Sequence, residues 1–561
     1  MGPKKVDPAR VWKEYEKGID FKTQLNLYDT VENNENFYIG KQWEGVVSNG
    51  LPTPVFDFIR RIVLFLVASV ATDNLKLAAS PLPSSGQTAS GDVERVCRII
   101  NAQFEALFEQ NKIGRTVRGF MRNAAVDGDG CIYSWFDPEV VTGQAAQGAI
   151  RVQLLENTRV IFGNPNDQEV QSQPYLLLSR RELLEDVRRE AEANGQDPEA
   201  VKPDNDEAND RFDAMTDGKV TTLMRLWKDR GSGTVRAVKT VRDAVVRPEW
   251  DTGQKRYPIV WLSWDAVRNC YHGQAAVTGL IPNQIFVNKM FAMTYLSQMT
   301  TAYPKILYDK SRVDKWDSRV GAATPVNPGD RGLNDVAKVM DPAVISPQVS
   351  QFIDLTISTT KECMGVTDAA LGNVKPDNTS AIIALQKSSS VPMEMVKQDL
   401  YQALEDLGLI WLDLMRVYYG TRYVELPPTQ AEEQAMAELG IARGAAEQPQ
   451  LFDFSGQLEA LPLSLKLDVG ASAYWSEIAQ VNTLDNLLMA DKITIEQYLE
   501  RMPNGYIAKQ LELLDELRQA RQMGMTPSGG APGPMMGEGE AYDPALQAGR
   551  SILNRKLQQV F

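Results

Sequence analysis

Residues 273–304 read GQAAVTGLIPNQIFVNKMFAMTYLSQMTTAYP and contain a single charged residue, Lys289. Large apolar side chains recur in this stretch at helical spacing; they are Ile285, Phe286, Met290, Phe291, Met293, Tyr295, Leu296 and Met299. A helix that is uncharged nearly all round must be enclosed. Its amide side chains make it too polar for the centre of a bilayer; they are Asn283, Gln284, Asn288 and Gln298. We therefore expect other subunits to enclose this helix, in a packed ring or bundle.

The composition is that of a folded protein with an acidic surface. The chain has 561 residues, 43% hydrophobic and 24% charged, with a formal charge of −14. This length predicts several domain-sized units, and this composition excludes a disordered or fibrous protein. Because an acidic surface repels phosphate, we do not expect a protein that coats DNA along its length.

Cysteine spacing and hydropathy predict where the chain is made. The four cysteines are far apart and form no CxxC pair, which argues against a zinc ribbon or a disulfide framework and favours a reducing cytoplasm. The N-terminus lacks the apolar core of a signal peptide, and the most apolar run, 62–71, is too short to span a bilayer. We expect no membrane association.

Periodicity along the chain predicts an α+β, mainly helical subunit. Residues 10–45 are predicted to form a helix and helical spacing dominates the first fifth, whereas short β-branched and aromatic runs follow the Asp127-Gly128-Asp129-Gly130 break, and a later run at 463–469 is also strand-like. An acidic, proline-containing insert at 190–213 is expected to be a solvated excursion. Asp127 and Asp129 resemble the start of a calcium-binding loop, but the residues that follow lack the remaining calcium ligands. We therefore predict a helix-to-strand turn there.

The C-terminal half predicts two further helices around a mixed segment. Residues 302–346 carry one strand-like run, 305–308, and several basic residues, and a helix at 347–363 follows. A loop then leads into a long helix, 379–419, whose apolar positions repeat as a heptad-like stripe. Pro392 lies inside that helix and should bend it.

Enzymatic motifs are absent from the sequence. The chain has one histidine, His272, which we expect to be a loop residue, and it has no GxxxxGK[ST], GxSxG or GxGxxG motif. These observations favour a protein without catalytic residues, metal or cofactor.

The order of these parts resembles the portal proteins of tailed bacteriophages, of the siphophage type. The resemblance rests on YDTVENNENFYIGKQW at 28–43, the uncharged helix with its return helix, and MGVTDAALG at 364–372 before the long helix. SEIAQVNTLDNLL at 476–488 and YLERMP at 498–503 add to it. It covers residues from about 25 to 510. The alternatives to a portal protein are a phage nuclease or packaging ATPase, and a structural or scaffolding protein without a channel.

The resemblance implies a subunit with wing, stem, clip and crown regions, which assembles into a ring, typically of twelve copies. Carried onto this chain, the regions are a wing at 1–272 and 421–475, stem helices at 273–301 and 347–363, a clip at 302–346, a tunnel loop at 364–379, a long kinked channel helix at 380–420, a helical crown at 476–523, and a flexible linker with a terminal helix at 524–561.

The same resemblance assigns roles to individual residues. The expected tunnel-loop residues are Val374, Lys375, Asp377 and Asn378, with Lys375 as an inward basic group or merely a solvated loop residue. Acidic residues expected on the channel wall are Glu394, Glu405 and Asp413. The expected docking residues of the clip are Lys310, Arg312, Lys315 and Arg319, although a solvated loop of mixed charge is the alternative there.

The partners that the resemblance implies are those of a capsid vertex. They are further copies of the chain, double-stranded DNA in the channel, the large terminase subunit, the major capsid and scaffolding proteins, and a head-completion adaptor or tail. The expected location is the virion, after assembly in the bacterial cytoplasm.

Overall fold

A computed structural model describes residues 6–501 except 49, 72–74, 82–90, 145, 207–217, 303–305, 314, 318, 320–323, 328–335, 340–347, 367–378, 425–449, 461–462, 470–483, 485–486 and 489–491. The chain divides into two compact units, residues 1–472 and residues 473–561. The fold combines helices with antiparallel sheets in separate segments, which agrees with the predicted α+β class.

The N-terminal helices are α1 (Pro8–Gln24), α2 (Leu27–Tyr38), α3 (Phe58–Ala71), α4 (Gly91–Gln110) and α5 (Ile113–Asp127). In α3 the buried positions Ile59, Ile62, Val63 and Leu66 follow the three- and four-residue spacing of one helix face. The single helix expected over 10–45 is instead two, because Asn26 has a φ of 54° and breaks the chain between α1 and α2.

Two antiparallel sheets form the middle of the chain. Strands β2 (Asp129–Asp137), β3 (Ala149–Leu155) and β9 (Ile259–Ser263) form one sheet with β2 in the centre. The other sheet has the order β4 (Val160–Phe162), β5 (Leu176–Leu183), β6 (Lys219–Lys228), β7 (Val235–Thr240) and β8 (Val245–Asp251). An aromatic core joins them, and its members include Tyr133, Phe162, Tyr257 and Tyr271.

The acidic insert is packed against this second sheet, which corrects the expectation of a solvated excursion. Its start lies in helix α6 (Leu184–Ala193), and Val201 is fully buried. Arg181 forms a buried ion pair with Asp204, and Asp206 accepts a hydrogen bond from the Tyr15 hydroxyl. The acidic residues of 201–206 therefore have partners in α1 and β5 that lie far away in sequence, while residues 207–213 are outside the described ranges.

The remaining elements lead through the predicted stem and back to the core. They are α7 (Ala276–Ala302), β10 (Ile306–Tyr308), β11 (Ala337–Val339), α8 (Gln348–Cys363), α9 (Thr379–Tyr418), β12 (Thr421–Val424), β13 (Gln450–Asp453), α10 (Phe454–Ala460) and β14 (Leu463–Val469). Antiparallel pairs join β10 to β11, β12 to β13, and β14 to β1 (Leu75–Pro81). The predicted strands at 305–308 and 463–469 are thus confirmed.

The heptad-like stripe of the long helix is buried in the largest core of the subunit. Leu400, Leu404, Leu407, Trp411 and Leu414 are completely buried against α3, α4, β2 and neighbouring elements. Burying such a row stabilises the fold by about 2 kcal/mol for each large side chain. The C-terminal half of α9 is consequently held within its own subunit rather than in a coiled coil.

The second unit is described only at 484, 487–488 and 492–501. It contains helix α11 (Ile495–Arg501), which begins after Thr494. The Thr494 hydroxyl accepts a hydrogen bond from the Gln497 amide at 3.3 Å, and the Gln497 side chain accepts one from the Thr494 amide at 3.2 Å. This reciprocal capping box fixes the start of the helix.

Candidate functional site

Over the first half of the uncharged helix α7, its own subunit covers one face. Val277, Leu280, Gln284, Val287 and Asn288 are buried, and α7 packs against α2, α3 and α5. The expectation that other subunits enclose the whole helix is therefore corrected for this face, which lies within the subunit.

Over its second half, α7 leaves its apolar side chains exposed. Met293 and Tyr295 keep more than half of their surface open at 57% and 54%, and Leu296 and Met299 are also exposed, as is Phe286 in the first half. The return helix α8 exposes Phe352 and Leu355 as well. Several large exposed apolar side chains on two adjacent helices are typical of a surface that another protein covers.

A chain of amide hydrogen bonds explains the polar residues inside α7. Gln284 donates to Asn288 at 3.0 Å, and Asn288 donates to the Gln42 side chain at 2.6 Å. Gln42 in turn donates to Asp57 at 3.1 Å, just before α3 begins. These bonds tie α7 to the segment 39–57, which also contacts it through stacked rings of Phe56 and Phe291. Sequence reasoning did not identify these partners, because they lie more than 200 residues away.

The clip candidate is a small folded segment of mixed charge. Strands β10 and β11 pair, Val313 and Val336 are buried, and Tyr308 stacks on Trp316. Lys310 and Lys315 are exposed. The other two predicted docking residues have acidic neighbours, as Arg312 lies 3.5 Å from Asp309 and Arg319 lies 2.6 Å from Asp317.

The ion pair at Arg319 is local and exposed. Hydrogen bonds from Arg319 lower the pKa of Asp317, and the same bonds raise the pKa of Arg319. Its positive charge is therefore already matched by a carboxylate within the clip.

The acidic residues of the channel helix differ in exposure. Glu394 is exposed and Glu405 is half-buried. Asp413 is buried instead, and its carboxylate accepts the backbone N–H groups of Lys255 at 2.6 Å and Arg256 at 2.9 Å. Arg416 completes the site with a 2.7 Å ion pair. Asp413 thus connects α9 to the turn before β9, a role different from the expected channel wall.

The other predicted residues of this region are only partly described. Helix α9 continues through position 392, although nothing is described of the side chains at 379–392, and the bend at Pro392 stays a prediction. Val374, Lys375, Asp377 and Asn378 lie outside the described residues. The segment before them ends with Gly365 at a φ of 69° and the buried Val366.

The only histidine lies in a buried polar cluster where α7 leaves the sheets. His272 Nδ1 lies 2.7 Å from Asp129, whose carboxylate also accepts the Gly273 amide at 2.8 Å and the Ser263 hydroxyl at 2.7 Å. The predicted turn at Asp127 and Asp129 is confirmed: α5 ends there, and Gly128 has a φ of 98° and approaches the Gly273 carbonyl too closely for any side chain. Asp129 thereby anchors the segment that leads into α7.

Lys22 of α1 completes this cluster. Its ammonium donates to the backbone carbonyls of Asn157, Thr158 and Val160 at 2.7 to 3.0 Å and has no exposure to solvent. Burial lowers the pKa of Lys22 to about 7, and the negative charge of Asp129 opposes that shift. Burial also lowers the pKa of His272. Because His272 is almost completely enclosed, the cluster joins elements of the fold and does not face a substrate.

Within the described ranges, no group of His, Cys, Asp or Glu side chains is arranged to hold a metal ion. No helix in those ranges has the length and apolar character required to cross a membrane.

Comparison with known proteins gives a family match that includes helices α7, α8 and α9. Residues 180–425 match the model of a family described as phage P22-like portal protein. No curated protein matches the chain. The matched region extends from β5 through the α7–clip–α8 segment to the end of β12. The match covers less than half of the chain and supports a phage portal protein.

Proposed function

We propose that this chain is a portal subunit and that copies of it form a closed ring, of about twelve by resemblance, around a channel for double-stranded DNA at one capsid vertex. The exposed apolar surface of α7 and α8 carries this proposal, because that surface requires a partner. Its position inside the region that matches portal proteins supports further copies of the chain as that partner. DNA would be packaged, and later ejected, through the ring.

Glu394, which is exposed, and Glu405, which is half-buried, suit a channel through which DNA slides. In a ring, each inward charge is repeated at one height, so a single lysine becomes a belt of positive charge. Each phosphate contact steepens the salt dependence of DNA binding by about 0.9 in log–log slope, and several such belts would hold DNA in place. We assign Glu394 and Glu405 to the wall, and Lys375 to the isolated inward basic group.

The tunnel loop can be tested without disturbing the stem. Deletion of 374–378 should leave rings intact but impair packaging or retention of DNA, since the loop lies between helices that close the ring. Normal packaging and retention by the deletion variant would remove 364–379 from the constriction.

The clip would bind the large terminase subunit during packaging and a head-completion adaptor or tail afterwards. Lys310 and Lys315 are exposed, whereas Arg312 and Arg319 have acidic neighbours, so we assign the motor contact chiefly to the two lysines. Lys310→Glu with Lys315→Glu should weaken terminase binding and leave rings intact. Lys202→Glu, at an exposed position of the wing, is the matched control. Equal terminase binding by both variants would move the contact elsewhere.

Contacts with the major capsid and scaffolding proteins belong to the same proposal, as does location in the virion after assembly in the host cytoplasm. The siphophage type of tail stays a prediction.

Negative-stain microscopy of the full chain tests the proposal directly. We expect closed rings with a central hole, together with a stable oligomer in light scattering at micromolar concentration. A stable monomer under several salt conditions would contradict it and favour the channel-less or enzymatic alternatives, which nuclease and ATPase assays would then separate.

A further inference from the structure

The exposed stripe of α7 contains one charge. Phe286, Lys289, Met293 and Leu296 follow one another at spacings of three and four residues and are all exposed, so they share one face of the helix. Lys289 is the single charged residue between 273 and 304. When another protein covers such a surface, removing the lysine from water costs free energy, and an acidic partner that pairs with the lysine offsets this cost.

The return helix presents such a group beside an exposed apolar side chain. Asp354 is exposed and directly precedes the exposed Leu355, so the two lie about 100° apart on the helix surface, whereas Phe352 lies on the other side of the helix. Among the described residues, neither Lys289 nor Asp354 has a salt-bridge partner in its own subunit. Both helices thus display an unmatched charge next to exposed apolar side chains, and the two charges are of opposite sign.

The two charges lie at the same level of the helical hairpin. The Asn283 side chain donates to the Thr360 hydroxyl at 2.9 Å, which fixes the level of α7 against α8. The helices are antiparallel, because β10 after α7 pairs with β11 before α8. Lys289 lies six residues after Asn283 on α7, and Asp354 lies six residues before Thr360 on α8. Because the helices are antiparallel, both residues lie about 9 Å from the Asn283–Thr360 hydrogen bond, measured along the hairpin toward β10 and β11.

Rotation about a ring axis that runs along the hairpin preserves this level from one copy to the next. A ring uses two different faces of each subunit, one against each neighbour. We propose that the α7 face of one copy packs against the α8 face of the next, and that Lys289 of the first pairs with Asp354 of the second. The occupant of the exposed surface is therefore a second copy of this chain, and the inference rests on the proposed ring.

The ion pair between Lys289 and Asp354 would set the vertical register of the two helices. Apolar contacts of Phe286 and Met293 with Leu355 favour association but tolerate vertical sliding, since they are not directional. A single ion pair that is matched only at one level fixes the register of the helices, as polar residues do in coiled coils.

Charge reversal in the full-length chain tests the pairing. K289D and D354K should each place like charges together and reduce the fraction of rings in native mass spectrometry, which we expect as a rise of at least about 10-fold in the concentration needed for assembly. The double variant K289D/D354K should restore assembly to within about 3-fold of the unchanged chain. Circular dichroism checks that the exposed substitutions leave the fold unchanged.

The matched control reverses an exposed ion pair of the wing. Arg189 and Asp186 lie 3.4 Å apart on α6, so R189D/D186R tests charge reversal away from the hairpin and should assemble normally. Single variants that assemble like the unchanged chain, or a double variant no better than the singles, would overturn the pairing while the ring stands. Absence of rings from the unchanged chain would overturn both the pairing and the proposed function.

Discussion

Replacing Asp413 by alanine should release the turn at 252–257 from the long helix. The carboxylate accepts two backbone N–H groups, from Lys255 and Arg256, and an ion pair from Arg416. A hydrogen bond to a charged group is worth about 1.5 to 3 kcal/mol. Two such bonds are lost in the variant, but Lys255 is exposed and water can reach its amide. We therefore expect the local opening free energy to fall by about 3 kcal/mol.

Hydrogen–deuterium exchange measures this opening directly. A fall of about 3 kcal/mol corresponds to about 100-fold faster exchange of the Lys255 and Arg256 amides. Asp406 lies one heptad earlier on α9, is exposed, and lies 3.7 Å from Arg256, so Asp406→Ala is the control and should change exchange at 252–257 only slightly. Unchanged exchange in the Asp413 variant, or equal changes in both, would refute the assignment of Asp413 to the interior of the subunit.

Three further predictions concern the buried polar groups. Lys22→Met should destabilise the protein by about 3 kcal/mol, because three carbonyls lose their donor; a chemical denaturation midpoint no lower than that of the exposed Lys17→Met control would contradict it. Burial holds the pKa of His272 below its value of 6.5 in the unfolded chain, so between the two pKa values the unfolded state binds one more proton than the folded state. The free energy of unfolding therefore falls as the pH drops below about 6.5, by at most about 1.4 kcal/mol per pH unit. His272→Asn should therefore lose less melting temperature between pH 7 and 5 than the unchanged chain, and parallel losses would refute this. Arg181→Met leaves the Asp204 carboxylate buried without its ion-pair partner, so we expect faster amide exchange at 201–206, with Arg189→Met as an exposed control that changes little.

Local patterns in the sequence were sufficient to predict many individual elements. The stripe from Leu400 to Leu414, the strand at 463–469 and the glycine turn at 128 each depend on residues close together in sequence. Helical periodicity and the left-handed conformation of glycine act within one or two turns of chain, which is why these elements could be identified without knowledge of the fold.

Exposure and pairing could not be predicted in the same way. Asp413 and Glu394 are both acidic residues on one long helix, yet the turn at 255–256 covers only the first of them. The insert at 190–213 has the composition of a solvated loop, but Arg181 and Tyr15 hold its acidic residues. Such pairs join positions between about 20 and 200 residues apart, and no local pattern records them.

The sequence by itself determined that 273–304 forms a nearly uncharged helix with one lysine, because periodicity and charge are properties of the chain. Only the tertiary structure decided which parts of that helix are covered by its own subunit: Gln42, 246 positions away in sequence, forms a hydrogen bond with Asn288, while Met293 and Tyr295 stay exposed. The physical reason is that burial depends on which distant surfaces pack together, whereas helix formation depends on the spacing of neighbours.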